Sequence, residues 1–78
     1  MVVPAPPTAH LLLQADPGRA EEVASYVITL PDVTEATVTS GPYDVIARVQ
    51  SGGTDPARVL ALARRAPGLT GARLCRPA

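Results

Sequence analysis

Tyr43 and Asp44 are the most chemically informative pair in this sequence, a phenol and a carboxylate directly after Gly41-Pro42. Strand-like runs flank them, Val33 to Thr39 and Tyr43 to Gln50, so the pair is expected at a strand edge beside a tight hairpin. Gly reaches positive φ without a Cβ clash, and Pro fixes φ near −65° while removing a ladder donor. A purely structural reading stays open: Tyr43 packs at the sheet edge and Asp44 accepts hydrogen bonds from the turn or a neighbour. The other reactive side chains are isolated. His10, the sole histidine, has no identifiable carboxylate or nucleophile partner and reads as a partly exposed strand residue. Cys75, the sole cysteine, has only Arg73 and Arg76 as local cations and reads as an inert thiol. No Cys/His cluster has metal-ligand spacing, so neither a metal nor another cofactor is expected. Glu21-Glu22 reads as a solvated helix turn.

The elements that must hold these residues are few, because 78 residues make one small domain. Such a domain buries only roughly 60% of the surface its unfolded chain exposes. With a single cysteine no intrachain disulfide can help, and small domains without such staples often oligomerise. The net charge is zero, with seven basic residues, all arginine, against seven acids. Nothing resembles the basic stripe of a nucleic-acid binder, so direct contact with DNA or RNA is not expected. Residues 1–8 (MVVPAPPT) lack a charged n-region and a long apolar run, and read as a disordered Pro-rich tail rather than a signal peptide. No apolar segment approaches the length of a membrane span, so a soluble, cytoplasmic protein with no membrane partner is expected.

In chain order, Ala9 to Ala15 reads as a strand with Leu11 and Leu13 on one side, His10 and Leu12 on the other. Asp16-Pro17 reads as a helix start, with Asp16 as cap and the helix running to about Leu30, just before Pro31. Ala20, Val23, Ala24 and Val27 form its apolar stripe. In the second strand Ala36 and Val38 face one side, and Glu35, Thr37 and Thr39 the other. In the third, Tyr43, Val45, Ala47 and Val49 oppose Asp44, Ile46, Arg48 and Gln50. Ser51 to Thr54 reads as a flexible loop, and Asp55-Pro56 repeats the helix-start signal ahead of Val59, Leu60, Ala63 and Ala66. Leu69 to Cys75 is a final strand.

The two halves echo each other. Each carries Asp-Pro-x-Arg, an apolar helix, and then Pro31-Asp32-Val33-Thr34-x-Ala36 or Pro67-Gly68-Leu69-Thr70-x-Ala72, with the second helix expected to be about a turn shorter. The order βαββαβ with right-handed crossovers gives a ferredoxin-like α+β fold: a four-stranded antiparallel sheet with two helices on one face. The other face then carries Leu12 and Ile46 without cover. A second copy packed sheet to sheet is the expected remedy.

Read together, Asp16-Pro17-Gly18, Val23, Leu30-Pro31-x-Val33, Thr39-x-Gly41-x-Tyr43-Asp44-Val45 and Pro67-Gly68-Leu69-Thr70 resemble the effector-binding (RAM-type) domain of the Lrp/AsnC transcription regulators. The resemblance spans about His10 to Leu74, within a domain read as residues 9–76. It implies homodimers formed through the sheets, assembled further into rings, with a small effector, usually an amino acid, bound between dimers near the hairpin. Gly41, Tyr43 and Asp44 match the family's turn motif, Thr39 precedes it, and Thr70 matches the polar position opening the last strand. Free turn amides can hold a carboxylate and an Asp can hold an ammonium group, which suits an amino acid. The family often places hydroxyls where this chain has Ala72 and Leu74. Its full-length members also carry an N-terminal helix-turn-helix domain, whereas only the Pro-rich tail precedes the first strand here. The expected function is therefore a non-enzymatic sensing and oligomerisation module related to transcription regulation, without its own DNA-binding domain. Full-length Lrp/AsnC regulators are candidate partners. The alternatives are a ligand-free adaptor, or a small dimeric enzyme of the monooxygenase type, for which the chain has few suitable side chains.

Overall fold

A computed structural model describes residues 8–50 and 55–76. The expected Pro-rich tail lies outside these residues except for Thr8, which opens the first strand, and so do the expected loop over residues 51–54 and the final two residues. The elements run β1 (Thr8–Ala15), α1 (Ala20–Val27), β2 (Val33–Val38), β3 (Val45–Gln50), α2 (Pro56–Ala63) and β4 (Leu69–Cys75). They form a four-stranded sheet in the order β2-β3-β1-β4, every neighbouring pair antiparallel. This is the ferredoxin-like α+β arrangement.

Alternation along the strands decides which face is covered. Ala9, Leu11 and Leu13 of β1 and Val45, Ala47 and Val49 of β3 point to one side. There they join Val23, Ala24 and Val27 of α1 and Val59 and Ala63 of α2 in a single buried cluster. Tyr26, Leu60, Ala72 and Leu74 pack around its rim. His10, Leu12, Ile46 and Arg48 alternate with these core residues and lie on the face that the helices leave open.

Three sequence expectations need correction. Asp16 does not cap α1. Arg19 takes the cap position without a side-chain cap bond, and Gly18 sits at φ +81°. The Arg19 amide donates to the Asp16 carbonyl at 3.0 Å, so Asp16-Pro17-Gly18-Arg19 is a turn with Pro and a left-handed Gly at its two central positions. Those are the residue types a type II turn demands, and they outcompete helix initiation at Pro17. Only the second Asp-Pro pair starts a helix: Asp55 accepts from the Ala57 amide at 2.9 Å with Pro56 in the first turn. As a result α1 and α2 are equally long, eight residues each, rather than differing by a turn.

The connection between β2 and β3 is also wider than a tight two-residue turn. The Thr39 amide donates to the Asp44 carbonyl at 2.8 Å, closing a loop over Ser40, Gly41, Pro42 and Tyr43. β2 ends at Val38 and β3 starts at Val45, so Thr39, Tyr43 and Asp44 belong to the loop rather than the strands. Gly41 is not among the residues with positive φ.

The echo around Pro31 and Pro67 goes deeper than its letters. Asp32 and Gly68 both adopt left-handed backbone, at φ 65° and 87°. Thr34 and Thr70 are then the extra residues of two bulges, since Val33 pairs with Val49 but Glu35 with Arg48, and Leu69 pairs with Ala15 but Gly71 with Gln14. Each bulge returns its preceding apolar residue, Val33 or Leu69, to the core side.

Candidate functional site

The hairpin loop is fastened to the end of β1 by Asp44 and closed on itself by Thr39. The Asp44 amide donates to the Leu13 carbonyl at 2.8 Å, and the Asp44 carboxylate accepts from the Ala15 amide at 2.8 Å through Oδ2. The Thr39 hydroxyl donates to the Tyr43 carbonyl at 2.6 Å. Asp44 and Thr39 are partly buried where they do this. Their geometry serves the loop itself, and Asp44 Oδ1 is the carboxylate oxygen left over. Tyr43 is half-buried beside them, and Gly41 is exposed with no atom within 4 Å of where a Cβ would project.

Gln14 is a participant that strand alternation alone did not reveal. Its side-chain amide donates to the Pro42 carbonyl at 3.1 Å. Its Oε1 lies 2.7 Å from the position a Cβ would take on Gly71, so the glycine makes room for it. Gln14 therefore spans from the hairpin loop to β4 across the end of the sheet. The sequence offered only a polar residue on the open side of β1, and its pairing with Gly71 comes from the register.

Thr70 is exposed at its bulge near the start of β4, at the same end of the sheet as the hairpin loop, because Leu13 pairs with both Val45 and Ala72. The strand β1 lies between them, so one copy of the chain gathers Thr39, Gly41, Tyr43 and Asp44 but holds Thr70 apart. Ala72 and Leu74 pair with Leu13 and Leu11 and pack on the core side. Among the described residues, the amides of Ser40, Gly41 and Tyr43 make no hydrogen bond within the chain. They are the loop's remaining backbone donors.

A second feature lies on the open sheet face. His10, Glu35, Thr37, Thr39, Ile46 and Arg48 line a shallow hollow of about 270 Å³. Arg48 is ion-paired with Glu35 across β2 and β3, and the Thr37 hydroxyl donates to the same carboxylate at 3.4 Å. Both charged side chains are about half exposed, which limits the stabilisation such a pair supplies. The pairing ties β2 to β3 along the rim of the hollow. Beside it, Ile46 and its register partner Leu12 are only partly covered. Among the described residues no group of three or more His, Cys, Asp or Glu side chains is placed to hold a metal. No helix among them is long and apolar enough to cross a membrane.

No family model matches the chain, and no curated protein matches it by sequence. Solved structures do. The hypothetical protein PHS023 from Pyrococcus horikoshii is 24% identical at a TM-score of 0.75, over 92% of this chain and 89% of that one. FFRP-DM1 has the same identity and TM-score over 92% of this chain and 99% of its own. TTHA0845 from Thermus thermophilus is 21% identical at a TM-score of 0.74, covering 92% of each chain. FFRP-DM1 bears the abbreviation of the feast/famine regulatory proteins of the Lrp family, and the likeness shows that this chain shares the fold of these structures.

Proposed function

We propose that this protein is a non-enzymatic assembly module that pairs with a second copy through its open sheet face, and that its hairpin loop senses a small amino-acid-type effector. The observation that carries the reading is the position of Leu12 and Ile46. They are register partners on the two central strands, only partly covered, on the face opposite the helices. A domain this small gains by burying such a patch, and a two-fold operation would lay the same patch of each copy on the other. The fold shared with FFRP-DM1 supports a role related to transcription regulation. Multi-angle scattering at micromolar concentration tests the pairing: a dimer or larger species is expected, and a monomer contradicts it.

The sensing half rests on the loop amides. Ser40, Gly41 and Tyr43 offer N–H groups to a carboxylate, and Asp44 Oδ1 offers an acceptor to an ammonium group. Thr70 stands apart from them within one copy, so its part in a cleft depends on a neighbouring subunit supplying it. Isothermal titration with the common amino acids tests this half. Saturable heat with at least one of them is expected, whereas none with any leaves assembly as the sole role. A native pull-down that recovers full-length Lrp/AsnC-type regulators would extend the module to mixed oligomers. The non-enzymatic part of the proposal rests on His10, whose register partners are Arg48 and Cys75 and whose hollow holds a carboxylate already paired with Arg48. Such surroundings do not orient an imidazole as a general base.

A further inference from the structure

The open face is organised in rows across the strands. Glu35, Arg48, His10 and Cys75 are successive register partners and form one row, and Thr37, Ile46, Leu12 and Arg73 form the next. Gln14 and Gly71, with the loop residues Thr39 and Asp44, lie beyond the second row, and the uncharged pair Thr8 and Gln50 beyond the first. The apolar contact is thus a single pair, Leu12 and Ile46, in the middle of its row. His10 occupies the neighbouring row, two residues along β1 from Leu12.

Among the described residues of these rows and the hairpin loop, charge is balanced while His10 is neutral. Arg48 and Arg73 stand against Glu35, which is paired with Arg48, and Asp44, which lies beyond the second row and accepts from the Ala15 amide through Oδ2. The groups that face His10 come from each neighbouring strand. β3 presents Arg48, with Glu35 of β2 behind it, and β4 presents Cys75 directly opposite and Arg73 on the diagonal. The helices lie on the other side of the sheet and present nothing to it. A proton on His10 therefore adds a cation beside one arginine and near a second, and the described carboxylate of its own row, Glu35, is already paired with Arg48.

We propose that protonation of His10 weakens the pairing of two copies through this face and so makes the assembly sensitive to pH. The inference rests on the sheet-pairing reading above. Each copy brings its own His10 to a two-fold interface, so acidification places two added charges in one desolvated layer. An imidazole ordinarily gains its proton between about pH 8 and 5.

Sedimentation velocity of the full chain at micromolar concentration, at about pH 8 and about pH 5.5, tests this. All proteins would carry Cys75→Ser, which removes the thiol from the titration, and circular dichroism would establish that each is folded. With His10 present, the dissociation constant is expected to rise at least about tenfold at the lower pH. His10→Gln is expected to pair equally at both, and His10→Lys to pair weakly at both. An unchanged constant with His10 present, or the same rise in His10→Gln, would overturn the proposal while leaving the pairing intact. A monomer at both pH values would overturn the pairing, and this inference with it.

Discussion

Asp44 matched a ligand-binding motif by sequence, yet its carboxylate also fastens the hairpin loop to β1 through the Ala15 amide. The two roles separate by mutation. Asp44→Ala leaves a partly buried amide without its acceptor, which costs about 1–3 kcal/mol, and thermal melting should show it as a lower Tm. Asp44→Asn keeps an acceptor oxygen and should recover most of that stability, yet it removes the charge an ammonium group would need. Equal amino-acid heats for Asp44→Asn and the parent would confine Asp44 to the structural role. Glycine positions divide in the same physical way. Gly68 sits at φ +87°, and a Cβ there would lie 2.8 Å from Arg19 Nε. Gly68→Ala should therefore cost about 1–2 kcal/mol in left-handed backbone strain alone. Gly41→Ala, in open space without positive φ, should be close to neutral in the same melts.

At the level of elements, the two Asp-Pro pairs behave differently for a visible reason. Asp55 caps α2, and the Ala57 amide it accepts, followed by the nearby Arg76, holds its carboxyl below the usual range. A depressed carboxyl contributes stability above its unfolded pKa and loses that contribution as pH falls through its folded value. Asp55→Ala should thus lower the Tm near neutral pH, and the difference from the parent should shrink below about pH 4. Asp16→Ala should leave the Tm near neutral pH close to that of the parent, because a turn through Pro17 and Gly18 intervenes before α1. The strand faces and helix stripes were legible because alternation and the 3.6-residue period record burial directly. Leu11, Leu13, Val23, Val27, Val45, Val49 and Val59 all fall in the core as their spacing implies. The bulges at Thr34 and Thr70 were not legible, since a bulge changes pairing without changing residue type. The first Asp-Pro pair misled because the same two residue types open both turns and helices, and only Gly18 breaks the tie.

Over the whole molecule, the ferredoxin-like order followed from the internal echo, and the structure extends that echo to matching left-handed residues and matching bulges. The site was legible only in part. The motif grouped Thr39, Gly41, Tyr43 and Asp44 around one hairpin but put all except Gly41 in strands, whereas the span of Gln14 from Pro42 to Gly71 depends on register, which a single sequence does not carry. The covered and open faces of the sheet differ in what they ask of the molecule. One is closed by α1 and α2, and the other presents Leu12 and Ile46 between polar rows. Replacing Ile46 by Glu would put a charge in the middle of that patch without touching the core. Multi-angle scattering of the parent and Ile46→Glu at micromolar concentration, with circular dichroism to establish folding, is the decisive comparison. The parent is expected as a dimer or larger species and Ile46→Glu as a folded monomer; a monomeric parent, or an unchanged assembly in Ile46→Glu, would contradict pairing through the open face.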